Sequence, residues 1–72
     1  MNTPLSPRER QVAALIAEGR TNAEIASRLR IGANTVKNHT RSIYAKLGIQ
    51  DKPGNPRVLL ARWYWREQEK TA

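Results

Sequence analysis

Residues 21–48 read TNAEIASRLRIGANTVKNHTRSIYAKLG, and the expected architecture of the chain follows from them. They divide into a short segment, a tight turn that contains Gly32, and a longer segment with two opposed stripes. Val36, Ile43 and Leu47 recur on one side of a helix that turns by about 100° per residue, with Thr40 between them. The opposite side carries polar side chains: Asn34, Lys37, Asn38 and Arg41. This layout predicts a helix-turn-helix whose second helix has one buried face and one free face.

The flanking sequence predicts where the other helices begin. Ser6 is followed by Pro7 and then Glu9, and Thr21 is followed three residues later by Glu24. In such a capping box the hydroxyl and the carboxylate satisfy backbone N–H groups at the start of a helix. We therefore expect one helix to begin at each box, and the carboxylates to be caps rather than a catalytic pair.

Glycine and proline predict the remaining boundaries. Gly19 should end the first helix, and Gly48 should end a third helix over about 33–47. Residues 51–56 read DKPGNP, which indicates a loop before a fourth helix from Pro56 to about Glu69. We expect an all-α, four-helix (tetrahelical) helix-turn-helix domain that occupies residues 1–72, with its core over about 5–69.

Charge and length limit the possible functions. The 72 residues contain 13 Lys and Arg against 6 Asp and Glu, and no acidic residue lies between Glu24 and Asp51. A positive field concentrated on the helix-turn-helix favours a polyanionic partner such as double-stranded DNA. Because so short a chain encloses no deep catalytic cavity, we do not expect an enzyme.

Other residue types argue against bound groups and targeting signals. The chain has no cysteine and one histidine, so we expect no metal site and no cofactor, and a packing role for His39. The apolar runs are far shorter than the roughly 20 residues of a membrane span, and no signal peptide is visible. The absence of cysteine also fits a reducing cytoplasm. Met1 so close to the first helix fits either a complete small protein or the C-terminal part of a larger regulator.

The sequence resembles the LuxR-type (NarL/FixJ) DNA-binding domain continuously from Leu5 to Ile49. The matching residues are Leu5-Ser6-Pro7-Arg8-Glu9-Arg10, Val12, Ala17-Glu18-Gly19, Thr21-Asn22, Glu24-Ile25-Ala26, Leu29, Ile31, Thr35-Val36-Lys37, His39, Ile43 and Lys46-Leu47-Gly48. The resemblance implies that the third helix enters the major groove and that the fourth forms a two-fold dimer interface. It also implies a bacterial transcriptional regulator, often the effector domain of a response regulator, located in the cytoplasm and associated with the nucleoid.

The resemblance and side-chain chemistry select the same reading residues. Arg bridges guanine O6 and N7, Asn bridges adenine N6 and N7, and Lys binds guanine or phosphate. We expect base contacts from Lys37, Asn38 and Arg41. Candidate contacts to the DNA backbone are Thr21, Asn22, Thr35, Ser42 and Lys46.

The fourth helix is too apolar for one face of so small a domain to bury. We expect its surplus to form a dimer or partner surface, with Val58, Leu59, Trp63 and Trp65 as candidates. Partners would be a second copy on DNA, and RNA polymerase or another regulator. The main alternative is a protein-interaction module on a helix-turn-helix scaffold, with DNA contact secondary or absent. A weaker one is a basic amphipathic element at an anionic membrane or acidic ligand.

Overall fold

Four helices make up the regular structure of residues 5–71, the part of the chain that the computed structural model describes. They are α1 (Pro7–Ala17), α2 (Asn22–Leu29), α3 (Ala33–Leu47) and α4 (Pro56–Thr71). No strand occurs within residues 5–71. The expected all-α, four-helix class is confirmed. Of the expected domain over 1–72, positions 1–4 and 72 lie outside the described residues.

Both capping boxes form. At α1 the N–H of Glu9 donates to Ser6 Oγ at 3.2 Å, and the N–H of Ser6 donates to Glu9 Oε1 at 2.9 Å. The same reciprocal pair joins Thr21 and Glu24 at 3.2 and 2.9 Å. Two orphan donors at each helix start are thus satisfied by side chains only three residues apart.

Three helices are followed by a residue with a left-handed backbone conformation. The N–H groups of that residue and of the next one donate to carbonyls in the last turn of the helix. Gly19 and Gly48 occupy this position after α1 and α3, with φ of 88° and 68°. After α2 the position is held by Arg30, with φ of 57°. Gly32 instead has an ordinary extended backbone and serves as the N-cap of α3 without a side-chain hydrogen bond. Gly32, the glycine of the turn, therefore caps α3, and Arg30 has the strained left-handed conformation.

The core lies where the four helices meet. Its largest fully buried side chains come from every helix: Val12, Ile25, Val36, Ile43 and Leu60. α1 is central, since α4 packs along it and α2 and α3 also contact it, while α2 and α3 pack on each other. Thr40 lies in the buried stripe as expected, and its Oγ1 donates to the carbonyl of Val36 at 2.8 Å. The hydroxyl is therefore satisfied without solvent.

The apolar residues of α4 divide between two sides. Leu60 is fully buried, and Leu59, Trp63 and Tyr64 pack against the core. Val58 and Trp65 point outward, with 48% and 50% of their surfaces exposed. None of the helices in the described part of the chain is long and apolar enough to span a membrane.

Candidate nucleic-acid interface

α3 presents a polar face to solvent over most of its length. Asn34, Lys37, Asn38 and Arg41 are exposed, while Val36, Thr40 and Ile43 on the other side are buried. Thr35, a predicted backbone contact, is exposed beside this face, and His39 is half-buried at the edge of the packed side. The side chains selected from the sequence for base contact therefore share one free surface on a helix that the core holds in place.

The start of α2 lies beside that surface. Asn22, Lys37, Thr40, Arg41 and Tyr44 line one shallow depression of about 180 Å³. The capping box pairs the N–H groups of Thr21 and Glu24, whereas those of Asn22 and Ala23 have no acceptor within residues 5–71. Free N–H groups at a helix start attract anions. The structure thus places the free start of α2 next to the polar face of α3.

The positive charges of α3 on this surface are not paired with carboxylates. Arg28, Arg30, Lys37 and Arg41 are exposed, and Lys37 and Arg41 have no ion-pair partner within residues 5–71. The six carboxylates of the chain fall before residue 25 or after residue 50, outside the whole of α3. The local field therefore favours an anionic ligand over a neutral one.

Ser42 and Lys46, which the sequence predicts as backbone contacts, are both bonded to Glu9 of α1. Lys46 Nζ lies 2.7 Å from Glu9 Oε1, and Ser42 Oγ donates to Glu9 Oε2 at 2.7 Å. Glu9 is 5% exposed. Burial alone would raise its pKa, but the hydrogen bonds from Lys46, Ser42 and the Ser6 backbone lower the pKa of Glu9 to about 2. The carboxylate expected to be only a cap therefore also fixes α3 on α1.

Sequence reasoning did not identify Arg57. This residue is in the first turn of α4, and its guanidinium donates to Asn22 Oδ1 at 3.0 Å and to the carbonyl of Arg20. Burial raises the pKa of Tyr44, and the nearby Arg57 guanidinium offsets part of that rise. Arg57 and Asn22 are 35 residues apart in the chain, so no local pattern could have placed Arg57 beside α2.

A second surface lies between α1 and α4. It is an open groove with an apolar floor that includes Ile16, Ala17 and Ala61, and with Val58 and Trp65 on its α4 side. Trp65 Nε1 donates to the carbonyl of Ala17 at 3.3 Å, and Tyr64 meets its ring edge-on at a centroid distance of 5.2 Å. Two of the four predicted partner residues, Val58 and Trp65, are on this surface, and the other two pack against the core.

Within residues 5–71 no three potential metal ligands converge. A supported helix with a polar, basic outer face, next to the free start of a second helix, defines a helix-turn-helix DNA-binding domain. The sequence model described as bacterial regulatory proteins, luxR family, matches residues 3–55, and the chain belongs to that family. Its activity is accordingly DNA binding in the regulation of transcription. The match ends immediately before α4.

Proposed function

We propose that this domain binds a specific duplex sequence by placing α3 in the major groove. The exposed face of Lys37, Asn38 and Arg41, directly opposite the buried stripe of the same helix, carries this proposal. Arg41 and Asn38 have the donor and acceptor groups for bidentate contact with guanine and adenine, and Lys37 can bind guanine or phosphate. A helix held by its other side presents these groups in a fixed register.

Phosphate contacts would hold α3 in that register. The free N–H groups at the start of α2, together with Thr21 and Asn22, supply one set on one side of α3. Thr35, Ser42 and Lys46 supply a second set. For Ser42 and Lys46 this contact would be shared with Glu9, since the Lys46 side chain remains 40% exposed while bonded to it.

The proposed assembly on DNA is a two-fold dimer through α4. Val58 and Trp65 form the apolar part of the outer surface of α4. Two copies of α3 would then enter successive major grooves about 10 base pairs apart, and the site would be an imperfect palindrome. The proposed setting is the bacterial cytoplasm at the nucleoid, with RNA polymerase or another regulator as a further partner.

Selection from a random duplex pool, followed by affinity measurements, tests the proposal. Arg41→Ala and Asn38→Ala should each lose about 1–3 kcal/mol on the selected site and much less on a scrambled duplex, because only the matching sequence loses a base contact. Arg8→Ala, which removes an exposed arginine of α1, is the matched control.

Two outcomes would count against it. If both variants keep the wild-type preference for the selected site, α3 does not read the bases. If no sequence is enriched and affinity is insensitive to salt, the domain is a protein-interaction module that uses the α1–α4 groove.

A further inference from the structure

Arg57 joins three parts of the chain at the edge of the proposed interface. It is on α4, yet its guanidinium donates to the Asn22 side chain at the start of α2 and to the Arg20 carbonyl just before it, and its charge acts on Tyr44 of α3. Asn22 and Tyr44 line the same depression as Lys37 and Arg41. Arg57 is thus placed behind the surface that DNA would cover.

The chemistry of the Arg57–Asn22 pair fixes the orientation of the amide. A guanidinium has five N–H donors and no acceptor, so the atom of Asn22 that faces it must be the carbonyl oxygen. That oxygen is 3.0 Å from the Arg57 nitrogen. The amide NH₂ group then points away from Arg57, and its two donors are available to a ligand.

The geometry points to Arg57 as a positioning residue for DNA binding: it holds the Asn22 amide with its NH₂ group toward the duplex, so that Asn22 donates to a phosphate oxygen. The N–H groups of Asn22 and Ala23 at the start of α2 would complete the same phosphate site. Since Arg57 belongs to the first turn of α4, and α4 packs along α1, the site is complete only while α4 is seated on α1. This inference rests on the proposed DNA contact and names how one part of it is built.

Asn22→Asp removes the donor to phosphate while keeping the bond to Arg57, so it tests the donor without disturbing the fold. A carboxylate keeps the acceptor for Arg57 and strengthens that bond, but it has no donor for a phosphate. We expect the midpoint of urea unfolding to be unchanged or higher, and affinity for the selected duplex to fall at least about ten-fold, the effect of one lost charge-assisted hydrogen bond. Gln11→Glu, on the exposed side of α1, introduces the same unit of charge and should have little effect.

A double-mutant cycle tests whether Arg57 acts through Asn22. Arg57→Gln should weaken binding about ten-fold in the wild-type background and less than about two-fold in the Asn22→Ala background, because the contact is already lost there. The slope of log affinity against log salt should match that of Arg8→Gln, an equal loss of charge. A direct phosphate contact by Arg57 would instead lower the slope by about one.

The outcomes separate this inference from the proposed function. If the wild-type domain prefers the selected duplex while Asn22→Asp and Asn22→Ala bind as the wild type does, the positioning role is wrong and DNA binding stands. A slope reduced by one, with equal losses in both backgrounds, would make Arg57 a phosphate contact itself and overturn the inference. If Arg57→Gln does not fold, the Asn22→Asp result decides alone.

Discussion

Arg30 has a backbone conformation that L-residues with a side-chain β-carbon rarely adopt. Its φ of 57° and ψ of 47° are left-handed, and the tight connection from α2 to α3 needs this reversal. The conformation costs a residue other than glycine roughly 1–2 kcal/mol. The helix-turn-helix therefore contains a local strain at its turn that the packing of α2 and α3 offsets.

Arg30→Gly should raise the free energy of unfolding by about 0.5–1 kcal/mol, because the relieved strain exceeds the added flexibility of the unfolded chain. Urea unfolding followed by circular dichroism measures it. Gly48→Ala, at φ of 68° after α3, is the opposite case and should destabilise the domain by a similar amount. A lower midpoint for Arg30→Gly would show that the turn is not strained.

Among the helices, the bonds from Glu9 to Ser42 and Lys46 link α1 to α3. The carboxylate is buried, so both its charge and its partners matter: an unpaired carboxylate there would be unfavourable, and a protonated one would lose the ionic bond to Lys46. α3 is thus held on α1 by this polar cluster as well as by its apolar stripe, and the polar cluster depends on pH.

The stability of the domain should fall in acid because of Glu9. Its folded pKa of about 2 is below the ordinary 4.5, so it contributes stability that is fully present above pH 4.5 and is lost as pH falls from 4.5 toward 2. The shift corresponds to about 3 kcal/mol at most. Glu9→Gln should be less stable than the wild type at pH 7, and the difference should narrow by pH 2. Urea midpoints measured across this range would contradict the assignment if the two proteins lose stability in parallel.

Local and distant interactions explain what the sequence could predict. The four helices were expected within a few residues of their observed bounds because their starts and ends depend on caps and breakers such as Ser6, Thr21 and Gly48, which act over three or four residues. The free face of α3 followed from periodicity. The partners of Glu9 lie 33 and 37 positions along the chain, and Arg57 reaches 35 positions back to Asn22, so no local pattern contains them. The sequence also could not show which of the four apolar candidates of α4 face the core and which face solvent, because that depends on where α1 packs.

For the molecule as a whole, the two proposed surfaces lie on different elements. The proposed DNA-facing surface uses α2 and α3, whereas the α1–α4 groove is lined by residues at the end of α1 and along one side of α4. Arg57 is close to both, since it lines the groove and bonds to Asn22. Assembly through α4 and phosphate binding at α2 would therefore meet at one side chain, and any effect of one on the other would be reciprocal.

Trp65 tests the assembly on DNA. Half of its surface is exposed, and its ring is held in place by Tyr64 and the Ala17 carbonyl, so little conformational freedom is lost when a partner covers it. Trp65→Gln should reduce the cooperativity of binding to a full palindromic site and leave affinity for a single half-site near the wild-type value. Gel-shift titrations on both duplexes, with sedimentation of the complexes, measure this.

Trp63→Gln is the matched control on the same helix. Because Trp63 packs against the core, this change should lower the midpoint of urea unfolding, whereas Trp65→Gln should leave it nearly unchanged.

The wild-type domain should itself be mostly monomeric in free solution at micromolar concentration, since the exposed apolar area of α4 is small, and should pair when two half-sites hold two copies side by side. If one copy binds each full site at saturation, with full affinity on a half-site, the proposed dimer is wrong. Trp65 would then be a surface for a different protein partner.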